Sequence, residues 1–206
     1  MYQTRQISST KLPIPRKGTK YVVRTSSHLN NAVPVVIAVR DMLKLAKTAK
    51  EVRKMINSDL LRINGRLVKD YRESIRLFNV FEAGKSYVLM MLPTGKFTLE
   101  QNKNKDSRLC KVLDKTLLSK GSVQLNLHDG SNVLTKDKIS VGDSIYIDFA
   151  GKVKKHIVLE KGKEAFVMSG KYTGLTGKVE SIKDKIVSIK FNKGEAQLNQ
   201  SQLIAL

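Results

Sequence analysis

The residues best placed to do chemistry in this chain are lysines and arginines, and their spacing suits the binding of phosphate. Arg40, Lys44 and Lys47 recur at i, i+4 and i+7, and Lys50, Arg53 and Lys54 follow in a second stretch, so each set shares one face if both stretches are helical. Six more cations, Arg5, Lys11, Arg16, Lys17, Lys20 and Arg24, lie in residues 1 to 33 with no acidic residue among them. Arg62, Arg66, Lys69 and Arg72 cluster around Asn64-Gly65. Residues 1 to 72 carry 16 Lys+Arg against 4 Asp+Glu, which places +12 of the total +20 in about a third of the chain. Solubilising surfaces intersperse the two signs. Segregation on this scale implies a polyanionic partner, whose phosphates neutralise the cations and release condensed counterions.

The remaining reactive residues lack the spacing that a reaction needs. His28, His128 and His156 are scattered without metal-ligand spacing, and no phosphate-cradling Walker sequence is present. The single cysteine, Cys110, sits in an apolar run that reads as core, and one cysteine allows neither an internal disulfide nor a multi-cysteine zinc site. No metal, cofactor or small-molecule substrate is expected. Trp is absent and aromatics are 6%, too few for base stacking to be the main source of affinity. DNA and an anionic membrane are rival polyanions. The apolar run Ala32 to Val39 is interrupted by Pro34 and falls far short of the roughly 20 residues that span a bilayer. With no apolar signal-peptide core at the N-terminus, a cytosolic protein is expected.

These side chains need elements to hold them. Pro34 suits the first position of a helix, and Val35 to Lys47 contains no Gly or Pro, so a first helix is expected over that span. Thr48 followed by Glu51 is a capping-box pair, which starts a second helix at Ala49 with Val52, Met55 and Ile56 on its buried face. Asn64-Gly65 predicts a type I′ hairpin turn between Leu61 and Val68. Pro13, Pro15 and Gly18 break any helix in residues 1 to 33, which are expected to form an extended basic arm that orders against phosphate. Tyr87 to Leu92 and Phe97 to Leu99, joined by Pro93-Thr94-Gly95-Lys96, read as a second hairpin, followed by a polar loop from Asn102 to Arg108. Short strands around Cys110 to Val112, Val123 to Leu127 and Ser144 to Phe149 predict a small barrel or curled sheet over about residues 85 to 160. From Glu164 an apolar strand, a turn rich in glycine (Gly170, Gly174, Gly177) and further strands at Lys178-Val179 and Ile186 to Phe191 form a third unit, with a turn at Asn192-Lys193-Gly194. The expected fold class is α+β, mostly β. Its parts are a basic arm (1–33), a unit of two helices plus a hairpin (34–84), a central antiparallel β domain (85–160) and a C-terminal barrel (161–206).

Two helices followed by an Asn-Gly hairpin resemble the S-four RNA-binding domain, and the glycine-rich strand-loop-strand after Glu164 resembles a KOW motif within a barrel of the Src-homology-three type. The whole order resembles the S-four-e family of small-subunit ribosomal proteins of archaea and eukaryotes. That order comprises Pro13-Ile14-Pro15-Arg16-Lys17-Gly18, the helices and hairpin, Leu109-Cys110-Lys111-Val112, Val141-Gly142-Asp143-Ser144-Ile145 and the C-terminal unit, and it spans nearly all 206 residues. The arm is more similar to archaeal members. The resemblance implies a non-catalytic structural component of the cytoplasmic ribosome, bound to small-subunit rRNA and to neighbouring ribosomal proteins. Its contacts would be Arg16 and Lys17, the basic helix faces, Arg62, Asn64, Gly65 and Arg66 at the hairpin, and Gly170, Lys171 and Lys178 in the glycine-rich turn. Two alternatives stay open. Pseudouridine synthases also carry S-four domains, but their catalytic Asp stands in an Arg-Leu-Asp context and here Cys110 follows Arg108-Leu109. A transcription-elongation or stress RNA-binding protein would use the same surfaces outside a ribosome.

Overall fold

Short alternating apolar runs dominate the chain, and the computed structural model accordingly contains nineteen strands and two short α-helices among the described residues, which are 2–102, 107–118, 121–191 and 194–206. The mostly-β class expected from the sequence is the one observed. The chain divides into two units, Met1–Lys105 and Asp106–Leu206.

In the first unit β1 (Tyr2–Thr4) pairs antiparallel with β2 (Tyr21–Val23), and β3 (Ala32–Pro34) leads into α1 (Val35–Ile37), which continues as a π-helical turn over Ala38–Met42. After α2 (Ala49–Asn57) come β4 (Leu61–Ile63), β5 (Arg66–Leu67), β6 (Ser74–Arg76), β7 (Val80–Ala83), β8 (Lys85–Met91) and β9 (Phe97–Gln101). Strand β6 pairs with β3, and the rest form an antiparallel sheet in the order β5-β4-β7-β8-β9. Val33, Val35, Ile37, Val39, Val52, Ile75, Phe81 and Leu89 are buried in this unit.

Three expectations need correction here. The first helix stops at Met42, well before Lys47, because Lys44 adopts φ 56 and turns the chain out of the helix. Helices usually end on Gly or Asn in this conformation, so a lysine there carries no sequence signal. The expected boundary at 84/85 falls inside a hairpin, since Gly84 (φ 75) turns β7 directly into β8 with Ala83 opposite Lys85. Residues 85 to 101 therefore belong to the sheet of the Asn64-Gly65 hairpin. Residues 2 to 33, finally, are folded onto the first unit. Leu12, Val22 and Val23 are buried, and the Phe97 amide donates to the Lys11 carbonyl at 2.9 Å.

In the second unit β10 (Ser107–Leu117), β11 (Val123–Leu127), β12 (Asn132–Thr135), β13 (Ser144–Asp148) and β14 (Val153–Ile157) form an antiparallel sheet in the order β12-β11-β10-β13-β14 over Cys110, Val112, Leu125, Ile145 and Ile147. A second sheet, β18-β17-β16-β15-β19, is built from β15 (Glu164–Val167), β16 (Thr176–Lys183), β17 (Ile186–Phe191), β18 (Gly194–Asn199), a 3-10 turn at Gln200–Gln202 and β19 (Leu203–Ala205). Its core contains Val167, Val179, Val187, Ile189 and Leu203. The Asn102 to Arg108 loop and the Asn192-Lys193-Gly194 turn fall in part outside the described residues.

Gly177 is dictated by packing. A Cβ there would lie 2.6 Å from Ile189 Cγ2 and 2.7 Å from the Lys190 carbonyl oxygen, so β16 and β17 approach only because it is absent. Gly177→Ala is expected to cost about 1–3 kcal/mol, read as a lower urea midpoint. An unchanged midpoint would mean that the sheet absorbs the methyl group.

Candidate nucleic-acid interface

Helix α2 is the best-defined carrier of exposed cations. The Thr48 hydroxyl accepts from the Glu51 amide at 3.3 Å, and the Glu51 carboxylate accepts from the Lys47 amide at 2.8 Å and lies 3.0 Å from the Thr48 hydroxyl. The Lys47 amide, then the Thr48 hydroxyl, hold the Glu51 carboxyl below its ordinary range. Thr48→Ala should therefore fray the first turn and cost about 1 kcal/mol, measured by urea unfolding. Val52 and Ile56 face the core, which turns Lys50, Arg53 and Lys54 outward together, and among the described residues none of the three is ion-paired.

Tyr71 supports this stripe, and sequence reasoning missed it. The Arg53 guanidinium sits 4.5 Å from the Tyr71 ring centroid and that of Arg72 at 5.6 Å. The Tyr71 hydroxyl is bonded to that of Tyr2, which lowers the Tyr71 pKa first, with Arg53 lowering it further. Arg53 also donates to the Tyr71 hydroxyl, which leaves the others of its five N–H donors to a phosphate. The only sequence signal was a tyrosine next to Arg72.

The other cations divide into engaged and exposed. Arg40 does not share a helical face with Lys44 and Lys47. It is bound by Asp41 at 2.7 and 3.1 Å, whereas Lys44 and Lys47 lie exposed in the link to α2. Arg5 is spent inside its own loop, donating to the Thr19 carbonyl at 2.8 Å, the Pro15 carbonyl at 2.5 Å and the Thr19 hydroxyl at 2.9 Å. Lys11 donates to Asn31 Oδ1 at 2.6 Å, and burial pushes its pKa down. Arg24 is half-buried, whereas Arg16, Lys17 and Lys20 are exposed. At the hairpin, Asn64 (φ 51) and Gly65 (φ 78) make the expected turn, and Asn64 Oδ1 accepts from the Val80 amide at 2.9 Å, so that side chain ties the turn to β7. Arg62 points outward between the buried Leu61 and Ile63. Lys69 is exposed, Arg66 pairs with Glu73 at 2.6 Å, and Arg72 pairs with Asp70 at 2.6 Å.

The glycine-rich turn lies in the second unit. Gly170 has φ 98, and a Cβ on it would lie 2.9 Å from the Gln202 amide nitrogen. Lys171 and Lys178 are exposed, with Lys171 Nζ 5.8 Å from the Tyr172 ring and Tyr172 stacked on Phe191 at 5.4 Å. Lys178 stands between Glu164 on β15 and Lys190 on β17 in the register, and Lys190 pairs with Glu180 at 3.6 Å and Glu195 at 3.8 Å.

His156 Nε2 lies 2.7 Å from Asp143 Oδ2, and His128 Nδ1 accepts from the Lys111 amide at 3.1 Å. Burial, then Asp129, pushes the Cys110 thiol up to about 12, which removes it as a nucleophile near neutral pH. Among the described residues no cluster of His, Cys, Asp or Glu is arranged to hold a metal, and no helix is long and apolar enough to cross a membrane.

The chain is similar to proteins of one ribosomal family. The profile described as Ribosomal family S4e matches residues 83–154. The small ribosomal subunit protein eS4 of Archaeoglobus fulgidus is 33% identical over 189 residues, covering 89% of this chain and 80% of that protein. The protein of the same name from Methanocaldococcus jannaschii is 32% identical over 203 residues, covering 88% and 83%. The crystal structure of 30S ribosomal protein S4e from Thermoplasma acidophilum shares the fold, with a TM-score of 0.72 at 24% identity over 86% of this chain and 95% of that one. With a third of its residues identical to an archaeal eS4 along most of both chains, this chain belongs to the ribosomal S4e family.

Proposed function

We propose that the chain grips folded small-subunit rRNA chiefly by its phosphates, with the exposed face of α2 as the leading contact. As a member of a ribosomal protein family it is a structural, non-enzymatic constituent of the small subunit in the cytoplasmic ribosome. In this reading residues 34 to 84 supply an S-four-type module. Strands β15 and β16 with their glycine-rich turn supply a KOW-type contact in a Src-homology-three-type barrel, and neighbouring ribosomal proteins complete the surroundings. Arg16, Lys17, Lys20, Lys44, Lys47, Arg62, Lys69, Lys171 and Lys178 extend the contact, while Arg5, Lys11 and Asn64 act by holding the scaffold. The observation that carries the proposal is the contrast between Lys50, Arg53 and Lys54, which have no anionic partner among the described residues, and Arg40, Arg66 and Arg72, which do. Exposed cations without carboxylates repel one another until phosphates arrive.

Filter binding of the full-length protein to small-subunit rRNA tests this. Affinity should fall on the order of a thousandfold between about 50 and 200 mM salt, as expected for six or more phosphates neutralised. A flat salt response would remove the phosphate mechanism. In the proposed mode RNA shape, with little base readout, sets specificity, so scrambled single strands should compete poorly.

A further inference from the structure

Lys111 is a lysine placed where lysines are rarely found. It lies on β10, the middle strand of its sheet, is 2% exposed, and is the only buried lysine among the described residues. Its ammonium reaches the second sheet of the same unit and donates to the Gln200 carbonyl, its one acceptor among the described residues. An ammonium has three N–H donors, so two remain without a partner among the described residues. Burial pushes its pKa down to about 8, as happens to a cation removed from water without a counterion.

Beside this group a hollow of about 360 Å³ opens at the seam between the two sheets. Lys111, Gln200 and exposed Lys185 line it together with the apolar Val112, Leu113 and Val141. Gly142 (φ 96) comes so close to the Gln200 side chain that a Cβ would collide with it. Two residues along the same 3-10 turn, Gln202 lies against Gly170.

We propose that this seam binds one phosphate group, whose oxygens take the two unused donors of Lys111 while Lys185 shares the charge. Low polarity around the ammonium strengthens the attraction, and the anion supplies the missing counterion. The apolar walls favour a phosphodiester over free phosphate, because the riboses on either side of a backbone phosphate cover them. That preference rests on the rRNA reading above, whereas the phosphate site itself does not.

Equilibrium dialysis of the full-length protein against labelled inorganic phosphate tests the site. Saturable binding of one phosphate is expected, weakened about tenfold or more in Lys111→Met and about threefold in Lys185→Gln. It should be unchanged when Lys50, Arg53 and Lys54 are all replaced by glutamine. Lys185 is exposed, so its variant remains informative if Lys111→Met folds poorly. Absence of a saturable site, or binding in Lys185→Gln equal to the parent, overturns the proposal. Repeating the dialysis with protein saturated by small-subunit rRNA separates the sources. Displaced phosphate supports a backbone phosphate as the occupant, and retained phosphate overturns that part and assigns free phosphate. If the protein binds no rRNA at all, the function proposed above fails while the phosphate titration still decides the site.

Discussion

Replacing Lys50, Arg53 and Lys54 together by glutamine is expected to lower affinity for small-subunit rRNA on the order of a hundredfold at about 0.15 M salt. Each phosphate contact contributes roughly 0.7 to 0.9 to the slope of log affinity against log salt, so losing three flattens that slope by about 2 to 3. The fold should survive. All three side chains are exposed, glutamine is a good helix former, and the Thr48–Glu51 cap and the buried Val52 and Ile56 are untouched. A matched control replaces Arg40, Arg66 and Arg72. The same charge is removed from residues already bound by Asp41, Glu73 and Asp70, so the salt slope should change much less. Equal losses in both triple variants would show that bulk charge matters and the α2 face does not. Circular dichroism confirms helix content in each.

The largest effect on stability is expected at Asp129, in the turn that follows β11. Its Oδ2 lies 3.1 Å from Arg108 Nε, with the two side chains only 2% and 10% exposed, and its Oδ1 accepts from the Ser131 amide at 2.9 Å and the Ser131 hydroxyl at 2.5 Å. The Nε approach is off the line of a hydrogen bond, so the attraction there is mainly between charges. Asp129→Ala strands a buried guanidinium without its counterion and should cost about 3–5 kcal/mol, read from denaturant unfolding. Burial by itself pushes the Asp129 pKa up, but the Ser131 hydroxyl, Arg108 and the Ser131 amide outweigh it and hold the pKa below its ordinary value of 3.8. A carboxyl depressed on folding contributes stability above that ordinary value and loses it as pH falls through the folded one. The stability gap between the protein and Asp129→Asn should therefore hold at neutral pH and narrow only below about pH 4. A gap that widened on acidification would contradict this assignment.

What the sequence made legible was local. The Thr48–Glu51 cap, the amphipathic spacing of α2 and the Asn64-Gly65 turn each depend on neighbours within a few residues, and each stands where the spacing placed it. Long-range choices were hidden. The end of the first helix turns on Lys44 adopting a left-handed conformation that lysine seldom takes. Gly84 looked like punctuation between domains because a glycine in a hairpin and a glycine in a linker are the same letter. The folding of residues 2 to 33 depends on Arg5 bonding across its loop to Pro15 and Thr19, a role its charge alone does not announce. At the candidate interface the cations were visible as residue types, but which were neutralised by Asp41, Asp70 or Glu73 was decided by geometry. The burial of Lys111 arises from a second sheet packed over β10, about ninety residues further along the chain.

A density map of the assembled small subunit tests the central claim most directly. The account predicts the Arg53 guanidinium and the Lys50 and Lys54 ammonium groups within about 3 Å of rRNA phosphate oxygens, with Arg53 still lying on Tyr71. Finding that face of α2 turned to solvent, with no phosphate within about 10 Å, would contradict it.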